Sequence, residues 1–124
     1  MKGIRILCAD LVYEAALNET DTADKILQAC PIEGRVNTWG DEIYFSIPVE
    51  LPAENGARAD VAIGELGYWP PGRALCIFFG RTPASSGPEP QAASPVNVFG
   101  RIDGDMSALR RIREGEKVRV ERIE

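Results

Sequence analysis

Histidine is missing from this chain altogether. Its absence removes Ser-His-Asp triads, imidazole general bases and histidine metal ligands in one step. Cysteine is scarce. Cys8, Cys30 and Cys76 are odd in number, widely spaced and each set in an apolar pattern, so they do not form the close ligand pairs of a zinc site. They read as reduced core residues; a reactive thiol wants a basic neighbour, and none is near in sequence. Positive charge is also short: 14 Lys and Arg against 19 Asp and Glu leave a net charge of −5. That balance argues against nucleic acid, because phosphate binding needs a basic face. The densest basic group, Arg110, Arg111 and Arg113, reads as the solvated side of a short helix. The longest apolar run, Ala74 to Phe79, falls well short of the ~20 residues of a membrane span. Met1 to Arg5 lacks the apolar core of a signal peptide, and Asp10 interrupts any such run. There is no phosphate-binding glycine loop, no nucleophile elbow and no metal-spaced acidic cluster. The expectation is a cytoplasmic protein with no membrane or nucleic-acid partner, no cofactor, no metal ligand and no assigned catalytic residue.

What is present suits a single folded unit over residues 1–124. A chain of this length buries roughly two thirds of its unfolded surface and needs no staples. Ile4, Ile6 and Cys8 alternate with Arg5, Leu7 and Ala9 as a strand, and Val12 to Leu17 reads as a second strand paired with it. Thr20 or Asp21 caps a helix whose Ala23, Ile26, Leu27 and Cys30 make one apolar stripe; Pro31 stops it. Arg35 to Trp39 reads as a strand and Trp39-Gly40-Asp41 as a tight turn. From Glu42 the alternation is clean: Ile43, Phe45 and Ile47 face one way, Glu42, Tyr44 and Ser46 the other. Glu54 to Asp60 reads as a polar surface turn around Asn55-Gly56.

The stretch from Gly67 to Pro83 is the most distinctive. Tyr68-Trp69-Pro70-Pro71-Gly72 leads into Leu75, Ile77 and Phe79 on one strand face and Cys76 and Phe78 on the other. Both faces are apolar, so this strand is buried on both sides. Thr82 to Pro95, with four prolines, reads as a long loop. Val96 to Ile102 is another strand. Asp103 or Asp105 caps a short helix carrying Met106, Leu109 and Ile112, which Gly115 ends. Val118 and Val120 mark a last, half-exposed strand. Strands dominate and helical patterns are few and separated, so the fold class is mainly β, with a barrel preferred over a sandwich because no long sheet edge is otherwise protected.

Trp39-Gly40-Asp41-Glu42-Ile43-Tyr44-Phe45, Gly67-Tyr68-Trp69-Pro70-Pro71-Gly72, Ala74 to Gly80, Thr82-Pro83 and Asn97-Val98-Phe99-Gly100-Arg101-Ile102 together resemble the small prokaryotic cyclophilin-like family of uncharacterised proteins. The resemblance covers essentially the whole chain. It implies a closed eight-stranded barrel with two short capping helices, and no established activity. Gly64-Glu65-Leu66-Gly67 departs from the Gly-Asp pair expected before Tyr-Trp. True cyclophilins isomerise the bond before proline with an arginine guanidinium, a glutamine and an apolar pocket. By that resemblance Phe79 would match the pocket phenylalanine. The glutamine position is then Ile77, a hydrocarbon that cannot hydrogen-bond a peptide. No arginine lies between Asp41 and Pro52, and the pocket histidine is absent.

The candidate ligand-binding residues are Tyr44, Tyr68, Trp69, Pro70, Phe79, Arg81, Asn97, Phe99 and Arg101. Trp69-Pro70-Pro71 suits either a rigid aromatic wall or a structural corner. Phe79 suits core or pocket. Arg81 and Arg101 either aim a guanidinium at a carbonyl or form surface ion pairs. Tyr44 and Asn97 either bond a ligand or satisfy nearby backbone. Asp41 and Glu42 face opposite ways and read as turn residues. Three readings follow: a module binding a small molecule or short peptide beside Tyr68-Trp69-Pro70, a divergent prolyl isomerase or other enzyme, and a structural or homo-oligomer-forming protein.

Overall fold

The computed structural model describes residues 2–123. Among them, ten strands and one α-helix follow in chain order: β1 Gly3–Cys8, β2 Leu11–Leu17, α1 Asp21–Ala29, β3 Ile32–Arg35, β4 Asn37–Thr38, β5 Glu42–Ser46, β6 Arg58–Asp60, β7 Glu65–Trp69, β8 Ala74–Phe78, β9 Gln91–Ile102 and β10 Lys117–Ile123. All pairings are antiparallel, in the order β3-β10-β1-β2-β9-β7-β8-β5-β4, with β6 attached to β9. The mainly β expectation stands. The closed eight-stranded form is not what the ladder gives: there are ten strands, and the hydrogen-bonded path ends at β3 and β4 without joining them. None of the helices among the described residues is long and apolar enough to cross a membrane.

Local chemistry explains the elements. β1 and β2 form the expected hairpin, with Ile6 opposite Tyr13. Thr20 caps α1, its hydroxyl accepting from the Ala23 amide at 3.2 Å; such a cap contributes about 1 kcal/mol. Ala23, Ile26 and Leu27 of the helix stripe are buried in the main core. The second expected helix is a shorter 3-10 turn, Ser107–Arg111. Its cap position is Met106, which makes no side-chain cap bond, and not the expected Asp103 or Asp105; Asp105, one residue earlier, accepts from the Ser107 amide at 2.9 Å. Ile112 is already extended and Gly115 has a φ of 89°, so no α-helical turn can propagate. Met106, Leu109 and Ile112 still reach the core.

Two further differences concern residues 54–60 and 82–95. Arg58–Asp60 is a short strand rather than part of a turn, and β9 begins at Gln91, inside the expected loop. β9 changes partners along its length: Gly100–Ile102 lies on β2, Asn97–Arg101 on β7, and Gln91 and Val96 on β6. Its first half thereby covers the outer face of β7 and β8. The close approach there needs a glycine: a Cβ on Gly67 would sit 2.7 Å from a Val96 methyl.

β8 is buried on both faces, as its composition predicts. Leu75 and Ile77, followed by Phe79, enter the main core with Phe45, Phe99 and Tyr68. Ala74, Cys76 and Phe78 enter a second, smaller cluster with Val61, Ala92 and Val96. Burying each of these larger side chains contributes roughly 1.5–3 kcal/mol.

Candidate functional site

The second cluster leaves a cavity of about 190 Å³ beside it, lined by Trp39, Glu42, Tyr44, Trp69, Cys76, Ala92, Ala93 and Val96. Sheet register builds it. Tyr44 of β5 lies opposite Cys76 of β8, and Trp69 of β7 opposite Ala74. The period of two then puts Glu42, Tyr44 and Cys76 on the outer face. Trp39 closes the turn between β4 and β5, its amide donating to the Glu42 carbonyl at 3.0 Å. The Trp69 indole N–H donates to the Ser94 hydroxyl at 2.7 Å, tying the ring to β9. Gly72 lets that ring lie on the 3-10 turn Pro70–Gly72: a Cβ there would meet it at 2.8 Å.

Glu42 is the chemically unusual member. It is 6% exposed, and among the described residues no cation lies within ion-pair distance of its carboxylate. Burial pushes its pKa from the ordinary 4.5 to about 7, and the neighbouring Cys76 thiol, which donates to the Ala74 carbonyl at 3.9 Å, offsets this only in small part. Burial, and after it the Glu42 carboxylate, push the Cys76 thiol well above its usual range. Cys76 is therefore a neutral thiol and a poor nucleophile at pH 7. Glu42 is poised to take up or give up a proton near neutrality. Asp41, next in the chain, points elsewhere and pairs with Arg110 at 3.0 Å.

The nine residues singled out in the sequence fall in different places. Tyr44 and Trp69 meet at this cavity. Phe79 and Phe99 are packed in the main core. Tyr68 is wholly buried, its hydroxyl donating to the Val49 carbonyl at 2.7 Å and accepting from the Leu51 amide at 3.2 Å. Asn97 is buried too: Oδ1 accepts from the Glu54 amide at 2.8 Å, and Nδ2 donates to the Pro52 carbonyl at 3.0 Å and to the Thr22 hydroxyl at 3.1 Å. Thr22 in turn donates to the Glu54 carboxylate at 2.6 Å. Pro70 opens the 3-10 turn. Arg81 is exposed, and Arg101 makes a surface pair with Asp103 at 3.3 Å. Sequence reasoning assigned Trp39 and Glu42 to a turn and Cys76 to the core, and so left them out of the site. Placing Glu42 on the Tyr44 face and Cys76 opposite Leu75 and Ile77 was the available signal; the pairing of β5 with β8 was the missing piece. Among the described residues no group of three His, Cys, Asp or Glu side chains could hold a metal ion.

A family model for cyclophilin-like proteins matches residues 2–121. The chain belongs to the cyclophilin-like family. No curated protein matches it. Among solved structures, this cyclophilin-like chain is similar to the hypothetical protein AF2241 from Archaeoglobus fulgidus, with a TM-score of 0.84 and 40% identity, covering 98% of this chain and 95% of that one. It is also similar in fold to McbB, solved in complex with tryptophan, with a TM-score of 0.66 and 17% identity over 95% of this chain. The cyclophilin-like chain spans 44% of the McbB chain.

Proposed function

We propose that this cyclophilin-like protein binds a small, largely apolar molecule in the outer cavity between Trp39, Glu42, Tyr44 and Trp69. One observation carries the reading: a carboxyl group 6% exposed and without a cationic partner among the described residues faces an aromatic-lined cavity of about 190 Å³. A buried charge left without a partner is costly, and an apolar pocket with one convergent polar group is the usual form of a ligand site. At this size the cavity accepts one ring and a short tail, so a peptide would enter it by a single side chain. The closed-barrel form of the fold belongs to the same proposal; it is supported by the single residue, Val36, that separates β3 from β4, the two unpaired ends of the ladder.

Both tryptophans of the chain line the cavity, so their fluorescence reports on it directly. Titration with benzyl alcohol or a related one-ring compound is expected to give a saturable change in emission. No saturable change with any one-ring compound, neutral or charged, would remove the reading. A second reading, proton transfer to or from the bound molecule, is favoured by the Glu42 pKa of about 7. The prolyl-isomerase alternative has less support, because no arginine lines the cavity; a proline-isomer exchange assay is expected to show no acceleration.

A further inference from the structure

Resting on that reading, we propose that the occupant is an organic cation: a small primary amine carrying one ring, with its ammonium against the Glu42 carboxylate and its ring among Trp39, Tyr44 and Trp69.

The charges around Glu42 leave its partner to come from outside. On its own strand the ionisable neighbour facing the cavity is Tyr44, and from β8 it is Cys76. From β7 the cavity receives Trp69, and from β9 Ala92, Ala93 and Val96, none of them charged. The turn before β5 contributes Trp39, while Asp41 is turned onto Arg110. Hence, among the described residues, no positive group lines the cavity, and Glu42 is the one carboxyl group in its lining. Folding has already removed most of the water from this carboxylate, so a cation arriving there meets an acceptor whose desolvation cost is largely met before binding. The ring faces of tryptophan and tyrosine carry negative potential and attract a cation further. A cavity of about 190 Å³ exceeds the ~150 Å³ hole that takes up benzene, which leaves room for a ring and an aminomethyl tail. An anion would meet Glu42 as a like charge, and an alcohol would use the site only as a hydrogen-bond partner.

The ionisation of Glu42 makes this testable by pH. Near pH 7 the carboxyl is partly protonated, whereas an alkyl amine stays protonated well above that. Amine binding must therefore strengthen as Glu42 ionises and must release a proton near pH 7. The experiment is a calorimetric and tryptophan-fluorescence titration of the full chain with benzylamine and benzyl alcohol at pH 6 and pH 8.5. Expected at the higher pH is a preference for benzylamine of about tenfold or more, with benzylamine affinity rising between the two pH values. Heats near pH 7 should vary with buffer ionisation enthalpy as a proton is released. Glu42→Gln, checked as folded by near-ultraviolet circular dichroism, should lose most of that preference. Equal binding of the two compounds, or a preference kept by Glu42→Gln, overturns the cation assignment while the pocket reading stands. If neither compound binds, the cation assignment falls, and the pocket reading falls with it once other one-ring compounds also fail.

Discussion

Two buried polar groups sit within a few residues of the same strand and are built in opposite ways. Asn97 on β9 uses both ends of its amide: it accepts from Glu54 and donates to Pro52 and Thr22, locking the α1 start to the 52–54 segment. Glu42 shares a cavity with the first half of that strand, through Ala92, Ala93 and Val96, and among the described residues it has a thiol for company and no cation. A buried polar group whose bonds are all used inside the protein acts as structure. One that is left with unused capacity at the edge of a cavity is available to something else. Both residues are polar and nearly wholly buried, so burial alone does not separate them; the count of partners does.

Breaking the clamp should have the largest effect. Asn97→Ala leaves the Glu54 amide and the Pro52 carbonyl without their buried partner, so a loss of about 3 kcal/mol is expected in urea denaturation, with the pocket's ligand response retained in the folded fraction. Changing Glu42 should act in the other direction. Its folded pKa of about 7 lies above the ordinary 4.5, so its contribution to stability is fully present below pH 4.5 and is lost as pH rises through 7. The whole shift corresponds to roughly 3 kcal/mol, and water entering the cavity reduces what is realised. Glu42→Gln should therefore gain about 2 kcal/mol over the parent at pH 8 and little at pH 4.5, read from denaturation midpoints across that range. No pH dependence in the difference would erase the contrast between the two sites.

Smaller effects sharpen the boundary between structure and site. Tyr68→Phe removes the bonds to Val49 and Leu51 and should cost about 1 kcal/mol without changing ligand titration. If it abolished binding, the site would extend to Tyr68 and the pocket drawn here would be too narrow. Arg101→Ala breaks an exposed pair with Asp103 and a weaker attraction to Glu65 across the strand pair, and should stay within about 0.5 kcal/mol of the parent. A larger loss would place Arg101 in some role that its surface geometry does not reveal.

Much of this fold was legible in the sequence. The stripe Ala23, Ile26, Leu27 announced α1, and the doubly apolar Leu75 to Phe79 announced a strand buried on both sides. Local pattern carries that information, because each element answers to its own periodicity. The site was harder to see. Trp69 was picked out as an aromatic wall or corner and Tyr44 as a hydrogen-bonding group, but Glu42 read as a turn residue beside Asp41. What makes Glu42 special is not local: β8 supplies Cys76 beneath it, and residues 91–96 form a lid of strand where proline and small residues suggested a loop. Phe79 suited core or pocket and Asn97 a ligand or nearby backbone, and only their tertiary partners reveal that they are already engaged. The second helix was misjudged for a similar reason, since three core contacts in a 3-10 turn reproduce the spacing of a short α-helix.

The central claim is that Glu42 is a buried carboxyl, without a cationic partner among the described residues, held for a ligand. Carbon-13 NMR of its side-chain carboxyl, followed from pH 4 to pH 9 with and without benzylamine, tests it most directly. The account predicts a midpoint near 7 in the free protein, moved downward when the amine binds. A midpoint at the ordinary 4.5, unchanged by the amine, would contradict it.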